Sequence, residues 1–155
     1  MPALAILLSV LGLIPFIVCG LGAVGPDTAT ADRMLAALIG FAAVTLAFVG
    51  GIHWGFELQA RRADAAIHRA RLGLGVVPPL VGWIALLLPL VVAPWVALVV
   101  LIAAYIGTAL VEQEAARRDL LPVRYMWLRW GFTVVAVAMM VTVLTLRLLG
   151  QTIAF

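Results

Sequence analysis

The run Gly50-Gly51-Ile52-His53-Trp54-Gly55, followed by Glu57, is the densest concentration of chemistry in the chain. On a helix, residues four apart share a face, so His53 and Glu57 come together, with Gly50 on the same side. Four roles are open to an imidazole so placed: contact with a ligand, proton transfer, ligation of a metal or haem, or a hydrogen bond that pins a neighbouring helix. A second concentration is Tyr125-Met126-Trp127-Leu128-Arg129-Trp130, which sets one guanidinium among aromatic rings. Glu57, Glu112 and Glu114 are the carboxylates available to it; the alternative is an interfacial arginine in an aromatic belt. The third is Pro78-Pro79 with Gly82-Trp83. Adjacent prolines free backbone carbonyls that neighbours, water or a bound group must satisfy, unless the helix is simply kinked or begins at Pro79.

These residue types exclude more than they assign. Haem held by two histidines fits poorly, because the only other histidine, His68, falls in a basic connector. One histidine with scattered carboxylates lacks the spacing of a zinc site, and the single cysteine, Cys19, excludes a thiolate cluster and an intramolecular disulfide. A nucleophile with its base, a metal cluster or paired acids within a span would signal a hydrolase, and no such spacing occurs. Nor is a carboxylate found in mid-span to couple transport to protons. No catalytic residue and no metal ligand is assigned.

What positions these groups follows from composition. Of 155 residues 66% are hydrophobic and 11% charged, against about 45–50% and about 25% in soluble domains. With a mean hydropathy of +1.22, a chain of this length has no soluble core large enough to hide its apolar surface, so the surplus faces lipid. Runs of roughly 20 apolar residues predict five transmembrane helices at about 4–24, 34–56, 72–91, 94–111 and 126–149. The fold class is thus all-α, an integral membrane bundle forming one domain over 1–155, without internal repeats. The N-terminal run lacks a basic leader and is read as a retained span; Pro15 predicts a kink in it. In the first connector Thr30 or Asp32 is the expected N-cap. Glu57–Arg71 is the main polar segment, predicted to continue as an interfacial helix.

All ten basic residues are arginine, a usage that suggests a GC-rich bacterial source. They cluster in the second and fourth connectors, as Arg61, Arg62, Arg69, Arg71, Arg117, Arg118 and Arg124. A pI near 10 would suggest nucleic acid in a soluble protein; in these connectors the arginines set orientation and touch anionic lipid instead. Positive charge marks the cytoplasmic side, which predicts a cytoplasmic N-terminus and a C-terminus opposite. Arg147 dissents, close enough to a span end to snorkel outward. The costly residues then converge on one leaflet. They define a candidate site of His53, Trp54, Glu57, Trp83, Tyr125 and Arg129, suited to a lipid head group, a quinone ring or a partner protein.

The motifs Gly12-Leu13-Ile14-Pro15-Phe16, Gly50 through Gly55, Pro79 with Gly82-Trp83, and Leu121-Pro122 followed by Tyr125, Leu128-Arg129 and Thr133 resemble the transmembrane protein 69-like family, also labelled domain of unknown function 3429. The resemblance runs nearly the whole chain, and its most specific part is the glycine-histidine-tryptophan motif. Val123-Arg124-Tyr125 departs from it, since the family tends to place an aromatic residue before the tyrosine. It implies a small polytopic inner-membrane protein of proteobacterial or mitochondrial type and no particular activity. His53, Trp54, Pro79, Trp83, Tyr125 and Arg129 would be its motif residues.

Three functions compete at this level. An accessory or assembly subunit of an inner-membrane, respiratory-type complex fits the small size and short connectors. A binding site for a quinone or phospholipid at the cytoplasmic leaflet fits His53 and Arg129. A small transporter or intramembrane enzyme has the least support.

Overall fold

Long apolar runs without water to satisfy their backbone must close every hydrogen bond within the segment, and helices do so. The computed structural model describes residues 3–59, 65–118, 121–150 and 152, and these contain no β-strand. Six helices follow in order: α1 Ala3–Leu11, α2 Ile14–Gly22, α3 Thr28–Gln59, α4 Ala65–Leu87, α5 Pro94–Arg117 and α6 Val123–Leu148. The last four are long and apolar enough to cross a membrane, which makes the chain a multi-pass membrane protein. α4 ends in a short 3₁₀ turn, Leu88–Leu90, whose Pro89 precedes the tight connection to Pro94 at the start of α5.

The first expected span is not one helix. It breaks at Gly12-Leu13 into α1 and α2, with Pro15 in the first turn of α2, where a missing N–H costs nothing. The predicted kink is thus a full interruption. Phe16 gives the break a purpose: it is wholly buried and meets the rings of Phe41, Phe132 and Tyr105 edge-on at centroid distances of 5.3, 5.7 and 6.1 Å. One ring from α2 thereby plugs the space among α3, α5 and α6.

Two other expectations are corrected. The N-cap of α3 is neither Thr30 nor Asp32 but Asp27, whose carboxylate accepts the backbone N–H of Thr30 at 2.9 Å. Hydrogen bonding from Thr30 holds the Asp27 carboxyl below its usual range. A carboxyl depressed on folding stabilises the folded state above its unfolded pKa, and that contribution is lost as pH falls through the lowered value. Asp27→Asn is therefore expected to flatten the acid limb of a pH–stability curve while leaving neutral stability nearly unchanged, since asparagine also caps. The second correction concerns the polar segment 57–71. It forms no separate interfacial helix among the described residues, because α3 runs on to Gln59 and α4 already begins at Ala65. Arg61, Arg62 and the side chains of His68 and Arg71 lie outside the described residues, as does Asp119.

The α3–α4 contact is the closest in the bundle. A Cβ placed on Gly82 would lie 2.8 Å from the Ala43 carbonyl oxygen, and one on Gly50 would lie 2.8 Å from Pro79 Cδ and 3.0 Å from the Gly75 oxygen. Ala43 and Gly50 on α3, like Gly75 and Gly82 on α4, stand seven residues apart, the repeat that keeps two helices on one seam. Gly51 and Gly55 of α3 take no part in this seam and face open space.

Candidate functional site

At the end of the bundle where α3 joins α4 and α5 joins α6, four polar side chains are buried: His53, Glu112, Arg129 and Thr133, each no more than 4% exposed. Each charged one lies within about two turns of its helix end. Glu112 is the hub. Its Oε1 meets His53 Nε2 at 2.8 Å and accepts the Tyr125 hydroxyl at 3.1 Å. Its Oε2 accepts Arg129 Nε at 2.6 Å. Arg129 gives its remaining nitrogens to hydroxyls, Nη1 to Thr133 Oγ1 at 2.6 Å and Nη2 to Thr108 Oγ1 at 2.8 Å. With Glu112 ionised, His53 Nε2 carries the proton.

A second layer supports the first. Thr133 hands its own proton to the Arg129 carbonyl, and Thr108 hands its to the Ala104 carbonyl, so each hydroxyl faces the guanidinium as an acceptor. The Arg129 guanidinium carbon lies 5.9 Å from the ring centre of Tyr105, within cation–π range. Tyr105 in turn donates to Ala42 O or Thr45 Oγ1, at 3.0 and 2.8 Å. Phe56 closes the other side, its ring 6.3 Å from His53 and 5.8 Å from Tyr125. A carboxylate and a guanidinium removed from water are tolerable only when such bonds surround both.

Of the six candidate residues the structure brings together His53, Tyr125 and Arg129. Trp54 and Trp83 are 47% and 59% exposed and look outward; the Trp54 indole lies against Gly75 of α4, where a Cβ would collide with it. Glu57 is half-buried, one turn beyond His53, and the carboxylate that His53 and Arg129 share is Glu112. Sequence reasoning had Glu112 as one of three equal carboxylates and missed Thr45, Tyr105 and Thr108. A signal existed: Tyr105, Thr108 and Glu112 are spaced by three and four, and Tyr125, Arg129 and Thr133 by four, each set one helical face. Among the described residues no three histidine, cysteine, aspartate or glutamate side chains gather as a metal site requires.

One cavity adjoins the network and another lies far from it. One, of about 280 Å³, lies between α4 and α5 and includes Thr108 in its wall. The other, of about 180 Å³, lies at the opposite end of the bundle beside Trp95 and Arg147. There Arg147 bonds the Ala23 carbonyl at 3.0 Å and Asp32 at 2.6 Å.

Residues 1–145 match the model of a family described as protein of unknown function (DUF3429). No curated protein matches the chain, and no solved structure does.

Proposed function

The chain belongs to the DUF3429 family, and from that premise we propose that it is a non-catalytic component of the bacterial inner membrane, an accessory or assembly subunit of a larger complex of respiratory type. The observation that carries this reading is the closure of the buried network. Both Glu112 oxygens and all three Arg129 nitrogens are bonded within the bundle, so the costly residues are engaged with one another and hold α3, α5 and α6 together. Interaction then falls to the outward faces. On α3, Gly51 and Gly55 lie in a strip bordered by Phe48 and Leu58, which are 69% and 85% exposed. In a membrane such small residues admit close approach of another helix. The resemblance to transmembrane protein 69-like proteins supports the inner-membrane placement.

The test is extraction from native membranes in mild detergent followed by native electrophoresis. The protein is expected to migrate with a larger assembly, and Gly51→Phe, which puts a ring on the outward strip without touching the bundle, is expected to release it. A protein that always migrates alone would refute the proposal.

A further inference from the structure

We infer that the groove between α4 and α5 binds one acyl chain of an anionic phospholipid, whose phosphate is taken by the arginines at the groove's mouth. Leu74, Val77 and Val81 of α4 face Ala104, Gly107 and Val111 of α5 across a cavity of about 280 Å³ that presents no polar surface. A water occupies about 30 Å³ and needs two to four polar partners, so a space several times that size with none stays dry and is filled by hydrocarbon. The one polar side chain in its wall, Thr108, turns its hydroxyl away to Ala104 and Arg129.

Two residues shape the groove at a cost to their helices. Gly107 stands mid-helix, and a Cβ there would meet nothing within 4 Å. No protein neighbour therefore requires glycine at that position, although glycine is unfavourable in a helix interior. Its smallness keeps the groove open. Pro78, fully buried in the opposite wall, stands inside α4, where it withdraws a backbone N–H from the helix.

Charge at the mouth selects the occupant. About two turns beyond Val111, at the C-cap of α5, comes Arg118, roughly 10 Å along the axis. Its side chain is 70% exposed, beside Arg117 at 72%. Both pair with Glu114, at 2.9 and 3.8 Å, but exposed pairs of this kind are weak enough for a phosphate to compete. Arg69 is exposed at the corresponding end of α4. Among the described residues at this end of α5, two arginines stand against Glu114, and a juxtamembrane cluster of that sign favours an anionic head group. The chain and the head group thus lie in register along one groove, and Thr108 couples its occupancy to the Arg129 network.

The experiment is native mass spectrometry of the full chain in detergent micelles doped with equal phosphatidylglycerol and phosphatidylcholine. One phosphatidylglycerol is expected to be retained in preference. Gly107→Phe fills the groove and should reduce that retention about tenfold, whereas Val134→Phe, the same ring at an exposed position of α6, should leave it unchanged. Arg117→Gln with Arg118→Gln keeps the groove and the fold and should erase the preference for phosphatidylglycerol while a chain is still held. Equal retention of both lipids by the unaltered protein, or no loss in Gly107→Phe, overturns the inference. Retention of an isoprenoid quinone in place of phospholipid from native membranes does so too. None of these readouts depends on a partner subunit, so failure here and failure of the assembly reading are distinguishable.

Discussion

Glu112→Ala is expected to destabilise the bundle by about 3–5 kcal/mol, because it strands a guanidinium that has no other carboxylate beside it in the network. Arg129 and Glu112 side chains are 3% and 0% exposed, so water cannot replace the lost partner without opening the α5–α6 contact. His53 and Tyr125 lose their acceptor in the same step. Arg129→Met alone strands the carboxylate and should cost a similar amount. The double variant Glu112→Leu with Arg129→Met removes both charges and keeps the volume, and it is expected to recover most of the loss, since apolar replacements of buried ion pairs are often neutral. Unfolding by heat or denaturant in nanodiscs measures all three, and with Glu112→Leu alone as the remaining corner the cycle should show a coupling of at least about 4 kcal/mol in favour of the pair. Additive losses would mean that the two residues do not act as a unit. The recovered double variant also separates lock from chemistry: a subunit that uses the network only to hold three helices should still join its assembly.

Residues that are costly in lipid were legible in the sequence, and their partners were not. His53, Tyr125 and Arg129 stand out because histidine, arginine and a buried phenol need a reason to leave water. The choice of Glu112 over Glu57 depends on which face of α5 turns toward α3, and helices that are apolar all round carry little amphipathic signal to fix that rotation. Trp54 and Trp83 misled for the same cause: tryptophan is equally at home against lipid and against protein. The four long apolar helices followed from run length alone; the division of the first run into α1 and α2 did not, nor did the start of α3, because Asp27, Thr30 and Asp32 are all competent caps and only the path of the chain from α2 selects the first. Arg147 could be placed near a span end, whereas its bond to Asp32, 115 positions away in the chain, is a product of assembly.

Gly82→Ala should be costly for a change of one methyl group, about 1–3 kcal/mol. The added carbon would sit 2.8 Å from the Ala43 carbonyl oxygen and 3.4 Å from its carbonyl carbon and Cα. All three are backbone atoms of a membrane helix, so no side chain can rotate aside and α3 must move away from α4 as a body. Gly51→Ala is the matched control. The same methyl on the same kind of helix meets nothing within 4 Å, and removal of a flexible residue from a helix interior should be neutral or stabilise by up to about 1 kcal/mol. The two variants share chemistry and differ only in what lies opposite, so the gap between them measures the α3–α4 approach. Equal effects in nanodisc unfolding would contradict that approach. The consequence reaches the polar network, because His53 stands one turn beyond Gly50 on α3 and its 2.8 Å bond to Glu112 depends on where α4 allows α3 to sit. Displacing α3 by even an ångström would stretch that bond beyond hydrogen-bonding range. Gly82→Ala is therefore expected to change the nitrogen chemical shifts of the His53 ring, some distance from the substitution, while Gly51→Ala, on the same helix and closer to His53 in sequence, leaves them in place.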